Sequence, residues 1–357
     1  MQSPADAIGN APPAAARARV WRIVERVLLA AGLVLLAGLV RRLGGAALVA
    51  NLRLVGWGIA LIVGQEILAV LANTLGWRAA FPSERPPPPF GQLLAARIAG
   101  DAVNYVTPTA TLGGEFARAR VLQGRASRVD LATSIAVAKV SQTVAQAVFI
   151  GTGLVFVLTT VPLSGAVRLG LVTGTAMLSA LVFAVVVAQR RGMFVPLARL
   201  LTSLDRRGRL VDVGERMQRL DVEIARVHLA DRRPFLTSCT WFFLGWTLGT
   251  VEIALMLWLL GMRVSFERVL AIEVLSVAID ATLFFVPGKL GTQEGGKVLI
   301  FTALGLDAVQ GLSVGVLRRI RELAWALAGL LILARFQLPE GVRTEPAAAP
   351  PARQPAD

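Results

Sequence analysis

Residues 101–118 read DAVNYVTPTATLGGEFAR and residues 280–297 read DATLFFVPGKLGTQEGGK. Both sit in apolar surroundings, and both interrupt a helical pattern with a proline and glycines. At an offset of 280 − 101 = 179 residues, Asp101, Pro108, Glu115 and Arg118 fall on Asp280, Pro287, Glu294 and Lys297 without a gap. The shared pattern is D-x6-P-x6-E-x2-R/K. Ala99 and Ala102 also meet Ala278 and Ala281, and Lys139 meets Arg318. An offset near half the chain length is what duplication of a half-transporter leaves behind.

The rest of the chain places these stretches in lipid. Of 357 residues 55% are hydrophobic and only 17% charged, with a mean hydropathy of +0.64, a balance too apolar for a soluble domain. No long stretch alternates with the period of two of a membrane barrel, so helices are the spanning solution. The net charge of +14 is carried largely by arginines bordering apolar runs, which points to positive-inside topology and to no nucleic acid. Cys239 is the single cysteine and His228 the single histidine, so no cysteine framework, metal site or histidine chemistry is expected, and no cofactor.

Apolar runs of the roughly 20 residues that cross hydrocarbon are read at about 23–40, 52–75, 131–161, 166–188, 236–260 and 309–333. The two awkward stretches, Phe90 to Leu122 and Val269 to Leu306, lie between them. The expected fold is therefore an all-α polytopic membrane protein with about six full spans plus two broken or re-entrant helical hairpins related as inverted repeats. Residues 1–22 form an N-terminal tail and 23–336 one transmembrane domain. Its repeat halves run over about 52–189 and 234–336, and 337–357 form an Ala/Pro-rich disordered tail.

Between the halves, 190–233 carry 11 arginines against six acids at roughly helical spacing, which reads as a cytoplasmic amphipathic connector suited to anionic membrane lipids. Counting crossings from there puts both termini in the cytoplasm. Arg41, Arg42 and Arg53, which would flank an outside loop, run against that count.

The chemistry is concentrated at the breaks. A proline removes an amide donor and clashes with the preceding turn, and glycines such as Gly113, Gly114 and Gly291 let the chain restart sharply. A restarted helix offers free amides and a positive dipole end to an anion, and phosphate is the obvious one in a membrane. Glu115 with Arg118, and Glu294 with Lys297, stand three apart on one helix face. They form either self-neutralising local pairs or the lining of a wet cavity for a zwitterionic head group. Charges at membrane depth usually face such a cavity. Asp101 and Asp280 lie about two turns before their breaks, where they bind either freed backbone groups or substrate. Asn104 adds hydrogen-bonding capacity beside the first break, as do Tyr105 and Thr107.

Lys139, Gln142 and Gln146 share one face of a long apolar helix, and Arg318, Arg321 and Glu322 share one face of another. Both stripes are expected to face the bundle interior. Arg319, off that stripe, is expected to snorkel to the interface. Glu66, Glu252 and Glu273 are expected to be buried partners for these cations.

At these residues the sequence resembles the flippase-like, lysylphosphatidylglycerol synthase transmembrane-region family. The motifs are Gly100-Asp101 with Pro108, Leu112-Gly113-Gly114-Glu115 with Arg118, and Pro287-Gly288, Leu290-Gly291 and Gln293-Glu294-Gly295, within a similarity from about 24 to 336. Lys289 and Thr292 depart from the simpler Gly-rich run expected there. The resemblance implies a multi-pass protein of the bacterial inner membrane that binds and flips a phospholipid or other polar lipid between leaflets. In the synthases this region precedes an aminoacyltransferase domain. Here the Ala/Pro tail follows instead, so aminoacyl transfer is not expected and the chain reads as a non-enzyme. A lipid-modifying enzyme using Glu115 and Glu294, or Asp101 and Asp280, as acid and base remains the alternative, with an accessory subunit of lipid synthesis, hopanoid lipids included, beside it. A homo-oligomer is compatible with either reading.

Overall fold

The computed structural model describes residues 33–82, 86–107, 112–161, 232–283 and 289–336, with Val286 and a few positions from 165 to 180. The described residues are helical, without strands. In chain order they form α1 (Leu33–Leu43), α2 (Gly45–Val55), α3 (Gly58–Ala79), α4 (Phe90–Val106), α5 (Leu112–Val121), α6 (Arg128–Thr160), α7 (Arg232–Leu259), α8 (Phe266–Thr282), α9 (Thr292–Ala303) and α10 (Ala308–Arg335).

Three described helices, α3, the Val129–Thr160 part of α6 and the Arg233–Leu259 part of α7, are long and apolar enough to cross a membrane. The pair α1 and α2, bent by 91°, makes up to four if taken as one span. Two expected boundaries are corrected here. The first run does not stop at Val40 but reaches Leu43, where Gly44 adopts φ 97 and ψ 102, a conformation open only to glycine, and turns the chain into α2. The second run does not begin at Leu52, because Gly56 with φ 49 ends α2 and the span starts anew at Gly58. The last run is a 28-residue helix whose apolar sequence is interrupted by Arg318, Arg319, Arg321 and Glu322. Most of the run expected at 166–188, the connector up to residue 231, and His228 lie outside the described residues, and Arg232 and Arg233 belong to α7.

The two awkward stretches are helix–break–helix elements. The 17-residue α4 is followed by the ten-residue α5, and the 17-residue α8 by the twelve-residue α9. At 1.5 Å per residue, α5 and α9 reach only about 15 and 18 Å, so neither crosses roughly 30 Å of hydrocarbon alone. In the first element α5 folds back along α4 so closely that a Cβ on Gly114 would lie 2.4 Å from the Gly100 carbonyl.

Burial divides into two apolar clusters. One gathers Ile62 of α3, Phe149 to Val157 of α6, Ile253 to Leu257 of α7 with Leu260 just past its end, and the buried faces of α8 and α9. The other gathers Trp77 of α3, Leu131 to Ala145 of α6, Phe242 of α7, and Leu93, Ala96 and Ala99 of α4. Helices α3, α6 and α7 each contribute to both, at opposite ends. The first halves of α4 and α8 are therefore seated at opposite ends of the bundle.

Helix α10 packs against α4, α9, α3 and α2, and it crosses α4 at Gly329, where a Cβ would come within 2.4 Å of the Ile98 carbonyl oxygen. Overpacking of this kind costs about 1–3 kcal/mol. Gly329→Val should therefore lower the unfolding midpoint of the detergent-solubilised protein. Gly64→Val should not, since nothing lies within 4 Å of a Cβ there.

Candidate functional site

The site is built around one turn of α10. Successive residues on a helix are rotated by about 100°, so Arg318 and Arg321 present one face while Arg319 presents another. Arg318 donates to Glu252 of α7 at 2.8 Å and to Glu273 of α8 at 2.7 Å. Arg321 pairs with Glu66 of α3 and approaches Glu252 at 3.1 Å. Glu66, Glu252 and Glu273 are thus cation partners, as their isolation in apolar sequence indicated. Three helices are fastened to α10 by one connected network. Glu273 also lies against α7, since a Cβ on Gly249 would sit 2.3 Å from its carboxylate.

Arg319 overturns its sequence expectation. Rather than snorkelling, it is buried, and its Nε donates to Glu294 at 2.9 Å. Its two terminal nitrogens reach Tyr105 Oη of α4 at 2.8 Å and the Lys289 carbonyl at 3.0 Å. It also stacks over the Tyr105 ring, 6.0 Å from the centroid. One guanidinium therefore bridges the C-terminal turn of α4, at the first break, and the restart of α9, at the second. Glu322 closes the arrangement by accepting from Gln293 at 3.2 Å and lying 3.6 Å from Arg319. The missed signal was the neighbouring pair of breaks: an arginine one position off a polar stripe can be buried if a second polar element faces it.

Around the first break, Asp101 accepts from Arg97 at 2.8 Å and from Arg118 at 2.6 Å. Arg118 also reaches Glu115 at 3.1 Å, and Lys139 stands 3.5 Å from Glu115. The local Glu115–Arg118 pair is therefore present, but within a larger network that includes Arg97. The cations rest on aromatic rings, Arg118 at 5.4 Å from the Trp77 centroid and Arg97 at 5.8 Å from that of Phe242.

The second break departs from this scheme. Glu294 pairs with Arg319 and not with Lys297, whose amine bonds Ser276 of α8. Helical spacing put both side chains on one face, but the stronger guanidinium fork claims the carboxylate. Asp280 is held at 2.9 Å by Lys289, whose φ of 49 marks the turn. Lys289, an apparent departure in the motif, is thus the counter-ion of its own break.

At each restart one backbone amide has a partner within the chain. The Gly114 amide donates to Asn104 at 2.8 Å, and the Gly291 amide, on a residue with φ 73, donates to Glu294 at 2.9 Å. Acceptors within the chain occupy these two donors. Gly113 is half-buried in the first turn of α5, while Pro108 and Pro287 lie outside the described residues.

Asp101, Tyr105, Glu66, Arg321 and Glu322 line a cleft of about 130 Å³, floored by Val70, Ile98, Ala102, Trp325 and Ala326. The Asp101 side chain is 46% exposed although it binds two arginines. Among the described residues no group of acids, histidine or cysteine is arranged to hold a metal ion. The cleft can present carboxylate oxygens, the Arg321 guanidinium and an aromatic edge to one polar group.

The family model described as the lysylphosphatidylglycerol synthase TM region matches residues 23–329. No curated protein and no solved structure matches the chain.

Leaving a buried carboxylate without its partner costs about 3–5 kcal/mol. Arg318→Met, which strands Glu273 and half of the Glu252 pairing, should destabilise the fold by that order in chemical unfolding. Adding Glu273→Gln should restore part of the loss, and strict additivity of the two changes would count against a shared network.

Proposed function

The chain belongs to the lysylphosphatidylglycerol synthase TM-region family, and on that premise we propose that it binds the head group of a phospholipid or other polar lipid between its two broken helices and carries it from one leaflet to the other. Membership itself gives a membrane protein related to lipid handling. The observation that carries the finer reading is Arg319, because its single guanidinium holds Tyr105 at the first break and Glu294 with the Lys289 carbonyl at the second.

A flippase must offer a polar head group a path on which no charge is stripped bare. Here Arg321 lines the cleft with Asp101, Glu66 and Glu322, Arg319 lies beside it, and both arginines are already paired with carboxylates. A phosphate entering the cleft replaces a carboxylate beside an arginine, and an ammonium replaces an arginine beside a carboxylate. Each exchange trades one ion pair for another, so the head group crosses the hydrocarbon without an uncompensated charge, whose cost is at least about 2.5–3.5 kcal/mol on insertion scales. No covalent bond is made or broken in this cycle.

In the same reading the two broken elements are inverted repeats of a half-transporter. Support comes from the 179-residue coincidence, from equal 17-residue first helices, and from their seating in apolar clusters at opposite ends of the bundle. Alternate loosening of the α4–α5 and α8–α9 elements about α10 opens the cleft to either side. The same proposal has the protein in a bacterial inner membrane with both termini cytoplasmic.

Arg319→Gln is expected to slow movement of a head-group-labelled phospholipid in reconstituted vesicles by at least about tenfold, equivalent to about 1.4 kcal/mol of barrier. Glu115→Gln with Glu294→Gln should do the same while the protein stays folded by circular dichroism. Undiminished translocation in both variants removes the joined breaks from the mechanism.

A further inference from the structure

Lys297 is the one buried cation among the described residues without a carboxylate in ion-pair contact. Arg97, Arg118, Arg318, Arg319 and Arg321 each hold at least one. Lys297 lies on α9 with 1% of its surface exposed, and its amine donates to Ser276 Oγ of α8, whose hydroxyl in turn donates to the Ile272 carbonyl. That contact spans the second break.

The charged groups facing it from the packed helices are Glu273 and Asp280 of α8, Glu252 of α7 and Arg318 of α10. Each of the acids is already committed, Glu252 and Glu273 to Arg318 and Asp280 to Lys289. On its own helix Glu294 is held by Arg319. From α1 the nearest neighbours of α9 at Gly295 are Leu35 and Leu39, which carry no charge.

The matched position in the first half holds Arg118, with Asp101 at 2.6 Å and Glu115 at 3.1 Å. The two halves therefore differ in kind. A guanidinium keeps its proton in any protein environment, whereas an ammonium can give one up. One break carries a permanent, well-paired charge, and the other carries a removable, unpaired one.

We propose that Lys297 is the proton-binding site that couples lipid movement to proton flow; this rests on the translocation reading above. In the neutral form the amine keeps its hydrogen bond to Ser276, and the second break stays closed around Arg319. A proton arriving through the polar interior bonds to the lone pair of Nζ and leaves it with one positive charge. A buried ammonium then requires a carboxylate, and Glu273 and Asp280 are the acids of α8 that face it. Recruiting either releases Arg318 or Lys289 from its partner and loosens α8 from α10 or from the break itself. Release of the proton restores the original pairing, so each cycle moves one proton.

The test uses full-length protein in vesicles of phosphatidylethanolamine and phosphatidylglycerol with an imposed pH gradient. Wild-type translocation of a labelled phospholipid should respond by up to about tenfold per unit of pH, the limit for one proton per cycle. Lys297→Met, permanently neutral, and Lys297→Arg, permanently charged, should both lose the response. Detergent-solubilised wild type should also take up one more proton than Lys297→Met between mildly alkaline and mildly acid pH, a readout that needs no lipid movement. Should Lys297→Met fail to fold, Lys297→Arg and Ser276→Ala carry the comparison, the latter shifting the pH of half-maximal response. A gradient response retained in Lys297→Arg, or equal proton uptake with and without the amine, overturns the coupling alone. Wild-type vesicles that move no lipid overturn the translocation reading and the coupling with it.

Discussion

A charge buried in hydrocarbon must be answered by another charge, and in this protein that requirement dictates which helices touch. Arg318, Arg319 and Arg321 follow within one turn of α10 and demand partners in three directions. The partners come from α3 as Glu66, from α7 as Glu252, from α8 as Glu273 and from α9 as Glu294. None of these helices needs the others for its own backbone hydrogen bonds, and apolar packing alone discriminates weakly between neighbours in lipid. The ion pairs supply the register, because a slip of one residue in α10 would strand several charges at once.

The same requirement explains why the broken helices end where they do. Helix α4 begins in one apolar cluster and α8 in the other, and the C-terminal turn of α4 and the restart after α8 both come to Arg319. A chain that stops inside the hydrocarbon must satisfy its last carbonyls and its next amides with groups of its own. Asn104 and Glu294 take the amides of Gly114 and Gly291, and Arg319 takes the Lys289 carbonyl. At each break the chain thus answers part of its own backbone polarity.

Much of this was legible in the residues. Period and length located the helix–break–helix elements, because Pro108 with Gly113-Gly114 and Pro287 with Gly291 are incompatible with an unbroken helix. Isolation in apolar sequence marked Glu66, Glu252 and Glu273 as buried partners. What escaped was pairing between distant elements. Arg319 looked like an interfacial residue because nothing local to α10 showed that a tyrosine 214 positions away would face it. Spacing put Lys297 on one face with Glu294, but spacing fixes the face a side chain shares and not which competing cation wins the carboxylate. The turns at Gly44 and Gly56 were hidden for a different reason: a single glycine inside an apolar run is common in membrane helices, and only the backbone angle distinguishes a bend from a continuation.

Helix α10 is held to the second broken element through backbone proximity as well as charge. Gly315 lets it approach until a Cβ there would lie 3.0 Å from the Glu294 Cα, and Gly311, one turn earlier, would meet the Lys297 carbonyl at 2.9 Å. Against the first broken element the corresponding close approach is Gly329 on the Ile98 carbonyl. The two approaches flank the Arg318–Glu322 turn on either side. Small residues spaced along a helix give backbone contacts that slide or pivot without first extracting a large side chain from a hole. A helix gripped this way by two broken elements, with Arg318, Arg319, Arg321 and Glu322 between the grips, holds both breaks against one polar turn. That is why the polar turn sits at the middle of α10 and not near an end, where snorkelling would have satisfied the same arginines at less cost.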